Sequence, residues 1–350
     1  LYGNDVEYEL RNNGDNRIIK KRYADFNKNT RFNATVFQQT SSTNSNSREF
    51  ISSSSEVLFR GNTYEAEVIF PNKLDFSSVN YVENDFVVAS LYGCHTSGTA
   101  GAWGSPDVAN FQVRSVRPSI NSTEAYFQLT GTAGGYFPLL TSSLFKDVYS
   151  DSKWNFAVKI KPSRYPLADG VSGSATGSYD LEFCGYNYVL DILVNSFETS
   201  ASISAGNAGA FLTANKRFFL GAHRQDFNGA TLQRADSKIS SIRVWMDYLK
   251  NDTIKAHAKD AQNFGSEYPY KNAYISQLSK SLGNNVVQIP QIETLVMDWN
   301  FDTITSSNAS GQFVVPDFSS GSTSLTSRWG WLGPIAKYQH TGLGYDFEVS

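Results

Sequence analysis

The stretch "ISSIRVWMDYLKNDTIKAHAKDAQNFG", residues 239–265, changes its period halfway, and that change decides how the chain is read. Through Met246 the apolar residues alternate, with Ile242, Val244 and Met246 on one face and Ser241, Arg243 and Trp245 on the other, as in a half-buried strand. Beyond it the spacing turns helical. Asn251 is placed to cap a helix whose inward residues are Ile254, Ala258 and Ala261, and Phe264-Gly265 supplies a C-terminal stop. The polar remainder of that helix, His257 included, is expected to face solvent.

Working outward, alternation recurs. "WNFAVKIKP" (154–162) sets Trp154, Phe156, Val158 and Ile160 against Asn155, Ala157, Lys159 and Lys161. "YEAEVIFP" (64–71) sets Tyr64, Ala66, Val68 and Phe70 against Glu65 and Glu67. Each predicts a strand with one wet side, closed by a proline. "DFVVASLYG" (85–93) is apolar at nearly every position from Phe86 to Tyr92, as expected of a central strand covered on both faces. Further strands are expected at 32–37, 111–116, 125–129, 179–185, 189–194, 217–222 and 294–301. The Gly, Ser, Asn and Pro clusters at 96–107, 168–178 and 204–210 read as loops, as does the polar tract 38–47. Strands joined this way, without alternating helices, predict an all-β fold of antiparallel sheets packed face to face.

Bulk properties narrow the function. With 350 residues, 40% hydrophobic, 14% aromatic and 18% charged, the chain holds material for one large β domain with extensions. A net charge of -3 removes the clustered basic charge on which nucleic-acid binding depends. No apolar run is long enough to span a bilayer as a helix. The chain opens on Leu1 and closes on the strand-like "YDFEVS", so a processed product or a piece of a longer polypeptide is expected. No spacing rule supports a bridge between Cys94 and Cys184, and buried free thiols are expected of them.

The succession "WNFAVKIKP", "YDLEFCGYN", "RFFLGAHRQDFNG" and "ISSIRVWMDYLKNDTIKAHAKD" resembles the closing half of LamG-like, concanavalin A-like jelly-roll domains. In this reading Phe219, Leu220 and Gly221 form the penultimate strand's end, Ile239, Ile242, Arg243 and Trp245 the last strand, and the helix from Asp252 follows. The resemblance implies a jelly-roll sandwich whose open core end is plugged by that helix. It divides the chain into an N-terminal extension (1–30), the sandwich (31–265), a linker (266–290) and a C-terminal aromatic and glycine-rich extension or start of a following module (291–350). The C-terminal stretch with "RWGWLG", together with "TAGGYFPLLTSSLFKDVYSDSKWNFAVKIKP", resembles parts of large structural proteins of tailed phages, especially marine ones. That implies a virion component such as a fibre, baseplate or capsid-surface protein, with virion or self subunits as partners in a homo-oligomer.

Glycoside hydrolysis needs two carboxylates at a set separation. Glu65 and Glu67, ~7 Å apart by strand rise, and Glu83 with Asp85 offer pairs, but neither has a third acid at the enzyme spacing, and a solvated face or turn is the expected setting. His95, His223, His257 and His340 are scattered without metal-ligand spacing, and no nucleophile elbow, phosphate loop or dinucleotide fingerprint is present. No catalytic residue, metal or cofactor is therefore expected. For glycan binding the candidates are Trp103, between Gly101 and Gly104 in a loop, and His223, Asp226 and Asn228 in a strand-to-strand loop. Against these stand a Trp103 folded over the sandwich edge and an Asn-Gly hairpin turn at 228–229, calcium there being the weaker reading. The expected function is a non-enzymatic virion structural protein whose sandwich serves assembly or glycan adhesion. The alternatives are a carbohydrate-binding module of an extracellular bacterial protein and an unusual glycoside hydrolase.

Overall fold

The structure, a computed structural model, describes residues 6–12, 18–25, 35–37, 58, 61–72, 87–96, 111–131, 136–164, 177–214, 216–224, 231–235, 237–259 and 295–301. Its elements in chain order are β1 (Val6–Asn12), β2 (Ile18–Asp25), β3 (Thr35–Phe37), β4 (Asn62–Phe70), β5 (Val88–Thr96), β6 (Phe111–Val116), β7 (Tyr126–Thr130) and β8 (Leu140–Thr141). There follow β9 (Ser152–Pro162), β10 (Ser178–Val189), β11 (Ile192–Ser204), α1 (Ala205–Thr213), β12 (Lys216–Leu220), β13 (Ala222–Arg224), β14 (Thr231–Arg234), β15 (Lys238–Trp245), α2 (Asn251–Lys259) and β16 (Leu295–Asn300).

The larger sheet runs β1-β2-β15-β4-β9-β10-β11, and β16 also pairs with β15. The smaller runs β3-β12-β5-β6-β7-β8, and β13 with β14 forms a separate hairpin. The pairings are antiparallel, and the chain passes from one sheet to the other between β2 and β3, β3 and β4, β4 and β5, β8 and β9, and β11 and β12, returning to the larger sheet at β15. This is an antiparallel jelly-roll β-sandwich, with two short helices, α1 and α2, among the described residues. On one edge of β15, β2 meets Lys238 and Ile239, while β16 takes Ser241 to Trp245.

The core is aromatic because each strand's alternation turns its large rings inward. Phe127 of β7 in the smaller sheet lies 4.8 Å from Trp154, 4.7 Å from Phe156 and 5.7 Å from Phe70, ring centre to ring centre, and all three belong to the larger sheet. Tyr64 meets Phe111 at 5.3 Å and Phe218 at 5.5 Å, again across the layers. Such tilted and edge-on contacts add to the area burial that holds the sheets together. Trp154 and Val244 share this one core. The expected central strand is confirmed in β5, where Ala89 to Cys94 are all buried between β12 and β6. Cys94 and Cys184 are free and buried.

Three expectations are corrected. The 204–210 stretch, read as a loop from its glycines, is helical as part of α1. Ser204 caps it by accepting from the Asn207 N–H at 3.2 Å, and Ala208, Phe211 and Leu212 bury into the core, which outweighs the poor helix propensity of glycine. Phe211 touches Tyr64 of one sheet and Phe111 of the other at 5.8 and 6.0 Å, so α1 fills the interior where α2 was expected to. Residues 189–194, read as a strand, are instead a hairpin apex: β10 ends at Val189, Leu190 and Asp191 turn with φ of 49° and 65°, and β11 begins at Ile192. Lastly, the faces expected to be wet on β4 and β9 are dry, with Glu65, Glu67, Asn155 and Lys159 all buried.

Truncating Phe211→Ala is expected to lower stability by about 3–5 kcal/mol, the usual cost of emptying a phenylalanine site in a packed core. Denaturant unfolding monitored by tryptophan fluorescence measures it; a loss under about 1 kcal/mol contradicts the bridging role given to α1.

Candidate functional site

A group of charged residues, among them Glu65, Glu67, Lys159 and Arg243, lies buried on the outer face of the larger sheet. The local cause is the strand period. On β4, Tyr64, Ala66 and Val68 face the core, so Glu65 and Glu67 must point the other way. Cross-strand register then sets Arg243 of β15 opposite Glu65 on one side and Ala157 of β9 opposite it on the other. The helix covers them. Ile254 and Ala258 pack with Leu249, Trp245, Ala157, Cys184, Tyr186 and Leu295 in a second apolar cluster separate from the sandwich core.

Within that cover the groups are specific. Nδ1 of His257 donates to the Glu65 carboxylate, lying 3.0 and 2.9 Å from its two oxygens. The Asn155 amide donates to Glu65 at 3.3 Å, and the Arg243 guanidinium stands 3.8 Å away. The His257 ring lies flat against Trp245, centres 5.5 Å apart and planes 12° apart. Burial alone pushes the Glu65 carboxyl up, but His257 and Arg243 opposite it and the hydrogen bonds from His257 and Asn155 overcome this and hold it down at about 2. Glu67 pairs with Lys153 at 3.3 Å and accepts from the Ser240 hydroxyl.

A third group lies beside this one. Glu182 of β10 accepts from Lys159 at 2.7 Å, Lys161 at 2.9 Å and the Tyr248 hydroxyl at 2.9 Å. Both lysines sit 4.6 Å from the Tyr248 ring centre, and Lys159 also donates to Asn251 at the start of α2. Burial pushes the Glu182 carboxyl up, and the facing lysines with the Tyr248 hydroxyl bring it below its ordinary value. Farther along, Glu198 accepts from the Tyr186 hydroxyl at 2.6 Å and pairs with Lys255 of α2 at 3.7 Å.

What this arrangement does chemically is hold a helix. Glu65 is 1% exposed and His257 0%, so the carboxylate and imidazole face each other in a closed space and meet no substrate from solvent. The expectation that His257 faces water is thus reversed. Helix polarity alone places His257 in water, and nothing in a single helix shows that a buried carboxylate waits on the strand below it. Arg243, Asn155, Lys159 and Tyr248 were not singled out as functional either. The signal available was the placing of opposite charges, Glu65, Lys159, Glu182 and Arg243, on the non-core face of strands that became neighbours.

Of the residues chosen for glycan binding, His223 has its backbone on β13 opposite Gln233 of β14. Asp226 and Asn228 belong to the connection between those strands and lie outside the described residues, as do Trp103, Glu83, Asp85, His340, Trp329 and Trp331. The structure therefore brings His223 to a hairpin whose connection contains Asp226 and Asn228. Among the described residues no cluster of three or more metal-ligating side chains occurs, and no helix is long and apolar enough to cross a membrane.

No family model matches the chain, and no curated protein matches it. Among solved structures it is similar to a native heptameric SAP-like pentraxin from Limulus polyphemus, with TM-score 0.31, 11% identity, and coverage of 57% of this chain and 70% of that one. It is similar to the enzymatically active domain of tailspike protein 2 from Bacteriophage CBA120, with TM-score 0.35, 12% identity, and coverage of 73% of this chain and 29% of that one. For the CBM40 of the Ruminococcus gnavus IT-sialidase the values are 0.33, 14%, 65% and 93%. Scores this low leave the fold to stand on the strand pairing itself, which defines the jelly-roll class.

A carboxyl held low by its folded surroundings contributes stability that is present above its ordinary value of 4.5 and lost as pH falls toward about 2. Unfolding free energy is expected to be flat near neutrality and to fall across that acid interval, with Glu182 adding to the same sign. Glu65→Gln is expected to lower stability by about 3–5 kcal/mol at neutral pH, because it removes the buried charge that His257, Arg243 and Asn155 surround. It should also flatten the acid fall. Melting curves of both proteins against pH test this, and parallel acid falls contradict it.

Proposed function

We propose that the chain is a non-enzymatic structural protein of a phage particle, its sandwich serving assembly or glycan adhesion. The observation that carries the reading is the closed outer face of the larger sheet. Glu65 and Glu67, a carboxylate pair offered by the sequence for sugar hydrolysis, are each 1% exposed and committed to internal partners. Two-carboxylate catalysis requires both groups to flank a glycosidic bond. Here a helix and an imidazole occupy that place at Glu65. Family resemblance supports the particle: the closing strands and helix read as LamG-like, and the C-terminal stretch resembles structural proteins of tailed phages.

Glycan adhesion falls to connections rather than to the sheet face, since the described outer face of β4, β9 and β15 is sealed. The β13–β14 hairpin, with His223, Asp226 and Asn228, and the loop that carries Trp103 are the assigned residues. Aromatic faces stack on pyranose rings, while amides and carboxylates bond their hydroxyls.

In purified particles the chain is expected as a stoichiometric, symmetrically placed component by mass spectrometry and imaging. Recovery only as a free secreted monomer contradicts the particle reading. Incubated with polysaccharides, it is expected to release no reducing sugar; release that disappears in Glu65→Gln and Glu67→Gln identifies a hydrolase instead. On a glycan array, Trp103→Ala and His223→Ala are expected to lose at least about tenfold in affinity, roughly the worth of one good contact. Absence of any wild-type signal leaves assembly as the role and removes adhesion.

A further inference from the structure

The polar group around Lys159 holds the parts of an amide-forming reaction. Lys159 stands on the outer face of β9, between Glu182 of β10 and Thr63 of β4 in the cross-strand register. Its side chain is 0% exposed, and its ammonium donates to Glu182 Oε2 at 2.7 Å, to the Tyr248 hydroxyl at 3.3 Å and to the side-chain oxygen of Asn251. Asn251, the residue expected to cap α2, thus turns its carboxamide down to the sheet. Capping needs no lysine, and burying an ammonium beneath a helix start is costly. A lysine nitrogen, a carboxamide carbon and a carboxylate lie within reach of one another.

Their placing is fixed from several sides. Thr63 Oγ1 donates to the Asp247 carbonyl and accepts from the Leu249 N–H, both at 2.9 Å, which holds the chain above β4 as it turns into α2. Leu249 and Ile254, before and after Asn251 in sequence, are buried in the apolar cluster beneath the helix. The Tyr248 ring centre lies 4.6 Å from Nζ of both Lys159 and Lys161. A nucleophile held against its target in this way needs no encounter from solution, an advantage on the order of 10⁵ M in effective concentration when the reacting atoms are aligned. Charge adds to it. Lys159 and Lys161 share the one carboxylate of Glu182, at 2.7 and 2.9 Å, so this group carries one cation more than it has anions.

We infer that Lys159 and Asn251 become joined by an isopeptide bond that the folded protein forms by itself, with Glu182 as the proton carrier. Burial pushes the Glu182 carboxyl up, but the facing lysines bring it below its ordinary value, so it is ionised and able to take a proton from the Lys159 ammonium. The neutral Nζ then attacks Cγ of Asn251. The Nζ–Cγ bond forms and the Cγ–Nδ2 bond breaks. Nζ gives up two protons in all, both pass through Glu182 to Nδ2, and that nitrogen leaves as ammonium. No oxidant or further reactant enters. The surplus positive charge departs with the ammonium, and Lys161 and Glu182 remain paired one to one. Glu182 is 18% exposed, which gives the leaving group a way out, while the nucleophile stays shut away from solvent. The bond ties the first residue of α2 to β9, so the helix that brings His257 to Glu65 is secured covalently at its start. It goes beyond the proposed function and holds whether or not the chain serves a particle.

Intact-mass spectrometry of the full purified chain tests it. The wild type is expected to weigh about 17 Da less than its sequence, one ammonia lost, and its digest to contain a branched peptide joining Lys159 to Asn251. Lys159→Arg keeps the charge without the nucleophile and is expected at full mass. Glu182→Gln is expected to form the bond at least about a hundredfold more slowly, the usual cost of losing a general acid–base group. A full-mass wild type, with residues 159 and 251 recovered in separate linear peptides, overturns the inference and leaves an ordinary hydrogen bond. A mass loss that maps to other residues overturns it equally, and a folded Glu182→Gln that links at the wild-type rate overturns the part given to Glu182. The decisive reading is made on the unaltered chain, so misfolding of a variant does not touch it.

Discussion

The contact between the Glu65 carboxylate and His257 fixes more of this molecule than any other. A carboxylate near the middle of a sheet, with no water to solvate it, is tolerable only when charge and hydrogen bonds surround it. Strand β4 delivers Glu65 to that position, β15 and β9 supply Arg243 and Asn155, and the remaining partner must come from above the sheet. Only a segment crossing the outer face can provide it. The residues after β15 turn back as α2 and bring His257 down on Glu65, with Ile254 and Ala258 sealing around them. The larger sheet is thereby dry on both sides through β4, β9 and β15, although its core side alone is hydrophobic by pattern.

This explains which parts of the fold were legible. Period-two alternation depends on backbone geometry, and it located β4, β5, β6, β7, β9, β10, β12, β15 and β16 within a few residues. The switch to helical spacing after Met246 located α2. Alternation cannot say whether a polar face meets water or another element, so Lys159, Glu65 and Glu67 were given to solvent. The helix at 205–213 was missed for the opposite reason. Its Gly-rich composition argues against a helix locally, and only the space between two aromatic sheets, filled by Phe211, makes one favourable. Likewise, Val189 to Val194 reads as a strand because nothing in its apolar run marks Leu190 and Asp191 as a turn; neither is the glycine or asparagine that such a turn prefers.

The candidate site was less legible than the fold. Its members come from β4, β9, β10, β15 and α2, far apart in sequence, and each alone resembles an ordinary surface charge. Arg243 and Glu65 are 178 positions apart by their residue numbers, and only the β15–β4 register makes them neighbours. Spacing motifs detect sites assembled within one element, whereas this cluster is assembled across five.

Sealing one face also decides where interactions can occur. The outer surface over β4, β9 and β15 is taken by α2, and the inner surface by the smaller sheet. The strand order of the larger sheet ends at β1 and at β11, and inside it β15 is shared on one side by β2 and β16, which pair with successive parts of one strand. Among the described residues β11 pairs with β10 alone from Ile192 to Ser204, with a bulge at Val194 and an exposed aliphatic apex at its start. Under the proposed function, glycan adhesion is therefore left to the connections, which the sheet pairing does not constrain.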